Sequence, residues 1–309
     1  MGNTKNEKIA VIDIGTNSIL LLITDIKGND IVPIIDKAKI AKLGEGLIET
    51  NEISESAFNR AFLILDEYKK IIEQFDVKNV NVIGTMVLRN AKNGTAFIDK
   101  VREKFGFNIE IIDGKKEAYY TFLSIKYDNK IKFDDFIVID IGGGSTEFVI
   151  CNNNKINDIK SLDIGAVVIK DRFLLNDPPE YNEITDAKNY IFAMINSNIR
   201  KWKLPIIGNG GTITTLAAVK LQLKEYNSEL VHGHELTIED IKKLSDLFMN
   251  MDSAKRREII GLEPKRADII LWGTLILQVI LEFFDRGSII VSDKGVRYGV
   301  IYERLYKGV

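Results

Sequence analysis

Along this chain apolar residues fall into two periods, and one of the patterns occurs twice. Ala10 to Ile23, AVIDIGTNSILLLI, is an apolar run, a small-residue turn and a second apolar run, which predicts strand, tight turn, strand. The same pattern returns from Ile137 to Ile150 as IVIDIGGGSTEFVI, with Asp13 matching Asp140, Gly15 matching Gly142 and Ser18 matching Ser145. The offset is 140 − 13 = 127 residues, about one domain length. The duplication predicts two related α/β domains, residues 1–122 and 123–309, each opening with the same hairpin and facing the other across a cleft. The final helix is expected to pack back toward the first domain.

Between the hairpins the period changes to that of helices. Ser54 is a cap for a helix whose apolar positions Phe58, Ala61, Phe62, Leu65, Tyr68, Ile72 and Phe75 recur at three and four. Thr95 to Phe105 predicts a second helix stopped by Gly106, and Ile109 to Ile112 a strand. In the second half a helix is expected from about Thr185 to Arg200, then a strand at Pro205 to Ile207. The turn Gly208 to Thr212 opens a further helix, and Thr237 to Asp240 has the form of a capping box. Ile269 to Phe284 is the most apolar long stretch. Gly273, Gln278 and Glu282 interrupt it, so it reads as a buried core helix, too short and too polar to span a bilayer.

Composition narrows the function. The 309 residues carry 42 Lys+Arg and 44 Asp+Glu, a net charge of −2, which argues against nucleic-acid binding driven by net charge. A single cysteine, Cys151, excludes an internal disulfide framework and fits a reducing, cytoplasmic setting. The polar start MGNTKNEK has no signal-peptide character, and Asn6 stands where acylation at Gly2 wants Ser or Thr. With only His232 and His234, a multi-histidine metal site is excluded. Two histidines at i, i+2 are read as part of a structured loop.

Three turns share one design: Gly15-Thr16-Asn17-Ser18, Gly142-Gly143-Gly144-Ser145 and Gly210-Gly211-Thr212. Glycines let backbone N–H groups converge on an anion, hydroxyls add donors, and the third turn also opens a helix. A lone glycine turn usually does no more than make a hairpin. Three of them, two in register within a duplication, favour phosphate binding. Asp13 and Asp140 stand at strand ends just before the glycines, and Glu147 begins the returning strand, where carboxylates beside phosphate would hold Mg²⁺ or orient water. Taken singly, Glu117 reads as a solvated helix residue, and Arg89, Arg266 and Arg297 as surface charges. Lys100, Arg102 and Lys104 read as a solvated face.

The motifs IDIGTNS, Thr85-x-x-x-Arg89-x-x-x-Asn93, Glu117-Ala118, VIDIGGGSTE, GNGGT, GLEPKRADII and SDKGVRYG occur in this order across essentially the whole chain. Together they resemble the exopolyphosphatase/guanosine pentaphosphate phosphohydrolase family of the actin–hexokinase–Hsp70 superfamily. The resemblance implies two actin-like (ribonuclease H-like) domains, a cleft active site, and Mg²⁺-dependent release of terminal phosphate from inorganic polyphosphate or guanosine pentaphosphate, with Mn²⁺ an alternative metal. It implies Glu117 as the base for the attacking water and Asp140 and Glu147 as metal- and water-holding carboxylates. The three turns, Asp13, Arg89 and Arg266 become phosphate contacts. A homodimer with no nucleic-acid or membrane partner is the expected form. Longer members add a helical domain after the closing motif, and that domain is not expected here. Members often carry an acidic residue before the catalytic glutamate, where this chain has Lys116, and Tyr119 and Tyr298 also depart from the pattern. Two rivals remain at this level: a non-catalytic sensor of a phosphorylated alarmone, and an ATP-dependent kinase of the same superfamily.

Overall fold

A computed structural model describes residues 7–28, 30–153 and 155–306; Gly2 and Asn6, on which the acylation reading turns, lie outside them. The chain divides into two compact units. The first comprises the residues up to Leu123 together with the segment from Val296, and the second is Ser124–Gly295.

The first unit runs β1 (Glu7–Ile14), β2 (Ser18–Lys27), β3 (Asp30–Ile40), α1 (Leu47–Thr50), α2 (Glu55–Gln74), β4 (Asn79–Gly84), α3 (Met86–Asn90), α4 (Gly94–Phe105) and β5 (Ile109–Ile111). α5 (Gly114–Lys126) closes this part and contains the unit boundary. Its sheet has the order β3-β2-β1-β4-β5. β1, β2 and β3 pair antiparallel, and β4 and β5 continue parallel to β1. Ser54 caps α2 as its position predicts, its hydroxyl accepting the Ala57 N–H at 3.2 Å. The period-3.6 face of α2 buries Phe58, Ala61, Leu65, Tyr68 and Ile72, and the Tyr68 hydroxyl ties the helix to β2 by donating to the Ile19 carbonyl at 3.0 Å. α4 ends at Gly106, where φ = +74° suits a residue without Cβ. Lys100 and Lys104 are more than a solvated face, since their ammonium groups lie 5.5 Å from the ring centres of Phe58 and Phe62.

The second unit contains β6 (Phe136–Ile141), β7 (Thr146–Asn152), β8 (Lys155–Leu162), α6 (Ala166–Phe173), α7 (Tyr181–Asn198), β9 (Ile206–Asn209), α8 (Gly211–Lys220), α9 (Ser228–Val231), β10 (Glu235–Thr237), α10 (Ile238–Met249), α11 (Ser253–Arg256), α12 (Ile270–Phe284) and β11 (Ser288–Val291). Its sheet, β8-β7-β6-β9-β11-β10, repeats the order of the first and adds one antiparallel edge strand. α12 is the expected core helix, buried at every position but Glu282. Each fully buried Leu or Ile there contributes about 1.5–3 kcal/mol. α7 starts at Tyr181, earlier than the periodicity predicts, because Glu180 and Glu183 form a reciprocal capping box in front of it.

The chain then returns to the first unit as α13 (Val296–Tyr306), which packs on β1 and β2. Arg297 is not the surface charge its isolation suggested. It is 8% exposed, and its guanidinium donates to Asp36 at 2.5 Å and to the Leu21 carbonyl at 3.1 Å. Burial alone would lower its pKa, but the adjacent Asp36 carboxylate outweighs that and raises it.

Candidate active site

In the first unit, β1 and β2 are joined by a turn closed by the Gly15 N–H donating to the Ser18 carbonyl at 3.0 Å. The loop after β3 backs this turn. The Thr16 carbonyl accepts from Gly44 N–H at 2.8 Å, and the Asn17 carbonyl accepts from Ala41 and Lys42 N–H groups, both at 2.9 Å. In a trans peptide the N–H points opposite to the C=O, so the amides of Asn17 and Ser18 are directed away from that loop. This is the orientation an anion cradle requires. Gly44 is fixed by the same packing, since a Cβ there would lie 2.2 Å from Thr16 Cγ2. Asp13, at the end of β1, is 9% exposed.

Arg89 and Glu117 are brought together. Arg89 leaves α3 and donates to the Ile112 carbonyl at 2.5 Å, just before α5, and its Nη1 lies 3.6 Å from Glu117 Oε2. Their side chains are 21% and 15% exposed, so neither is the solvated surface group that each suggests when read singly. Asp113 sets the start of α5 by accepting the Lys116 N–H on its side chain at 2.8 Å, which places Glu117 in the first turn. Asn93 of the same motif has a structural task, bonding both the N–H and the carbonyl of Ile53 through its amide at 2.9 and 2.8 Å.

The second unit repeats the cradle with more glycine. Gly142 N–H donates to the Ser145 carbonyl at 3.0 Å, the same closure as in the first turn. The carbonyls of Gly142, Gly143 and Gly144 accept from Ala166, Val167 and Gly165 at 3.0, 2.8 and 3.0 Å. The amides of Gly143, Gly144 and Ser145 are therefore aimed away from the start of α6. At the end of β6, Asp140 stands in register with Glu147 of β7 on one side and with Asn209 of β9 on the other. Ser161 of β8 donates to Glu147 Oε1 at 2.7 Å.

The third turn comes off β9. Gly210 has φ = +99°, and a Cβ there would lie 2.7 Å from Asp140 Oδ1 and 2.5 Å from the Ile141 carbonyl oxygen. Only glycine lets this turn lie against Asp140. The first intrahelical bond of α8 runs from Thr214 N–H to the Gly210 carbonyl at 3.1 Å, so the N–H groups of Gly211, Thr212 and Ile213 form the helix N-terminus. Arg266 lies over it, its Nη1 2.3 Å from where a Gly211 Cβ would be. Burial lowers the pKa of this guanidinium, with Glu263 and then Tyr226 opposing.

The His232 ring is engaged away from these turns. His232 Nδ1 accepts the Asp293 N–H at 3.2 Å, which leaves Nε2 to donate to Asp128 Oδ1 at 3.2 Å. Asp128 is fully buried and also bonds Lys294 at 2.7 Å and the N–H groups of Lys130 and Ile131, both at 2.7 Å. Sequence reasoning did not find this network, because its members lie far apart in the chain. Asn209 was missed too, although its place in GNGGT, at the end of an apolar strand-like run, was a usable signal.

Twin sheets of one strand order, each with a glycine turn after a strand-end Asp, define the two-unit actin-like class. The chain belongs to the Ppx/GppA phosphatase family, whose description matches residues 22–307. It is 37% identical over 95% of its length to a bifunctional 3-dehydroquinate synthase/phosphatase of Fusobacterium nucleatum, and spans 46% of that protein. It is 26% identical to exopolyphosphatase 2 of Mycobacterium tuberculosis, over 88% of this chain and 89% of the relative. Among solved structures, the Aquifex aeolicus Ppx/GppA family member superposes with a TM-score of 0.82 at 34% identity, covering 98% of each chain.

Proposed function

We propose that this protein hydrolyses the terminal phosphoanhydride of inorganic polyphosphate or guanosine pentaphosphate. The observation that carries the reading is the second turn, where three amides are aimed outward beside the in-register carboxylates Asp140 and Glu147. The glycine turns are assigned to phosphate groups of a polyanionic substrate, with Asp13, Thr16, Asn17, Ser18, Arg89, Ser145, Thr212 and Arg266 as further phosphate contacts. Hydrolysis forms a bond from the water oxygen to the terminal phosphorus and breaks the bridging P–O bond. The bridging electron pair leaves with the shortened substrate. Glu117 takes the water proton, and a general base of this kind contributes about 10²–10⁴-fold. Arg89 and the turn amides offset charge on the phosphoryl oxygens.

Asp140 and Glu147 fit a hard divalent cation. They are an all-oxygen, doubly negative pair on one face of the ladder, and the space beside Asp140 Oδ1 is kept open by the missing Cβ of Gly210. They would hold Mg²⁺ or Mn²⁺, which when bound supplies Lewis-acid polarisation of phosphoryl oxygen.

The same reading makes the protein a cytoplasmic homodimer without nucleic-acid partners, supported by the family resemblance, the single cysteine and the small net charge. Among the described residues no helix is long and apolar enough to cross a membrane. The test is phosphate release with Mg²⁺ from long-chain polyphosphate, guanosine pentaphosphate and ATP in parallel. Release from either of the first two, abolished by Glu117→Gln, is the expected result. Binding without release from any of the three would replace the hydrolase with a sensor.

A further inference from the structure

The direction in which Glu117 projects is set by the rotation of α5 about its own axis. Lys116 and Tyr120 are four residues apart and share one helix face, with Glu117 on the adjoining one. On that shared face Lys116 Nζ lies 2.6 Å from Glu303 Oε1, and the Tyr120 hydroxyl donates to Glu303 Oε2 at 3.1 Å. The Lys116 ammonium also lies 4.7 Å from the centre of the Tyr120 ring. Both oxygens of one carboxylate on α13 are thus engaged by α5. The Glu303 side chain is only 12% exposed, which weakens solvent screening of the pair.

α13 is itself anchored. At its start Arg297 bonds Asp36 of β3 and the carbonyl of Leu21, on the strand that leaves the first glycine turn. In its middle Gly299 lets the helix meet α5, since a Cβ there would fall 1.9 Å from the Tyr120 carbonyl oxygen. α13 therefore acts as a strut that runs from the first phosphate hairpin to the face of α5 beside Glu117.

We propose that Lys116, Tyr120 and Glu303 form a latch that fixes the rotation of α5 and so positions Glu117, making Lys116 and Glu303 positioning residues for the hydrolytic step. The latch rests on the reading of Glu117 as the base.

The test compares wild type, Glu117→Gln, Lys116→Met, Tyr120→Phe and the double swap Lys116→Glu with Glu303→Lys. Phosphate release gives kcat and KM, and amide exchange is followed across α5. Misplacing a reacting group costs up to about 10²-fold. Lys116→Met is expected to lower kcat about tenfold with KM within about twofold, and to speed exchange at Glu117 and Ala118. The swap is expected to recover most of the lost kcat, which a generally weakened fold would not do. Unchanged kcat and exchange in Lys116→Met would overturn the latch. Should Lys116→Met fail to fold, the smaller Tyr120→Phe change decides by the same two readouts. If wild type releases no phosphate, or Glu117→Gln stays fully active, the base reading has failed instead. The exchange data then judge the latch alone: faster exchange in Lys116→Met, reversed by the swap, retains it, and no change removes it.

Discussion

Asp140 and Glu147 stand directly opposite each other on β6 and β7, whereas the matching pair in the first unit is Asp13 and Leu20. Residues opposed across an antiparallel ladder share a face, with Cβ atoms about 4.5–5.5 Å apart. The duplication has kept the turn and the strand-end aspartate in both copies but doubled the carboxylate in only one. The second unit therefore carries an opposed carboxylate pair, and the first unit has the Arg89–Glu117 pair instead.

Replacing Glu117 by Gln removes the proposed proton acceptor and keeps the shape. Turnover should fall about 10²–10⁴-fold with the thermal midpoint nearly unchanged, read by phosphate release and calorimetry side by side.

Ser161 donates to Glu147 Oε1 at 2.7 Å and so orients a proposed metal ligand from behind. Supporting bonds of this kind are worth about 10–100-fold in metal affinity. Ser161→Ala should raise the Mg²⁺ concentration for half-maximal activity about tenfold. Most of the rate should return at saturating Mg²⁺, and a midpoint that does not move would remove Glu147 from the metal site.

Gly210 combines φ = +99° with a backbone oxygen 2.5 Å from where its Cβ would sit. Gly210→Ala should destabilise the second unit by about 1–3 kcal/mol in denaturant titration. It should also weaken activity, by pushing the turn away from Asp140.

The Asp128 network predicts a pH response. Burial raises the Asp128 pKa, but hydrogen bonds from His232 and then Lys294 and Ile131 bring it well below the usual carboxylate range. With the folded pKa depressed, the stability it contributes is present above the unfolded value of about 3.9 and is lost as pH falls through the folded one. Asp128→Asn should lower stability at pH 7, because it removes the buried negative charge that Lys294, His232 and the N–H groups of Lys130 and Ile131 surround. The gap between variant and wild type should narrow below about pH 4 in pH-resolved thermal melts. A gap constant across pH would contradict this account.

Much of the fold was legible because the hairpins are written in local chemistry: apolar alternation, a small-residue turn, a strand-end acid. The Ser54 and Thr237 caps were readable for the same reason, each needing only its own next three residues. What escaped were relationships across long stretches of chain. Lys116 and Glu303 are 187 residues apart and carry no shared pattern. Arg297 looked like a surface charge, because its partners lie on β2 and β3, over 260 residues earlier. The outer strands β3 and β8 gave little signal because most of their residues are exposed or half-buried. Of the site, the turns and carboxylates were visible as types, but the Arg89–Glu117 contact and the place of Asn209 beside Asp140 needed the coordinates.

α13 also bears on the order in which the protein comes into being. The second unit is one unbroken stretch, Ser124–Gly295, and holds every one of its strands and helices before the residues that complete the first unit are translated. Lys116 and Tyr120 leave the ribosome long before Glu303, and Asp36 long before Arg297. A chain interrupted ahead of Val296 would carry the first glycine turn and Glu117, yet lack the helix that packs on β1 and β2 and meets α5. Synthesis through α13 is thus built in as a condition for the first unit to reach its finished form.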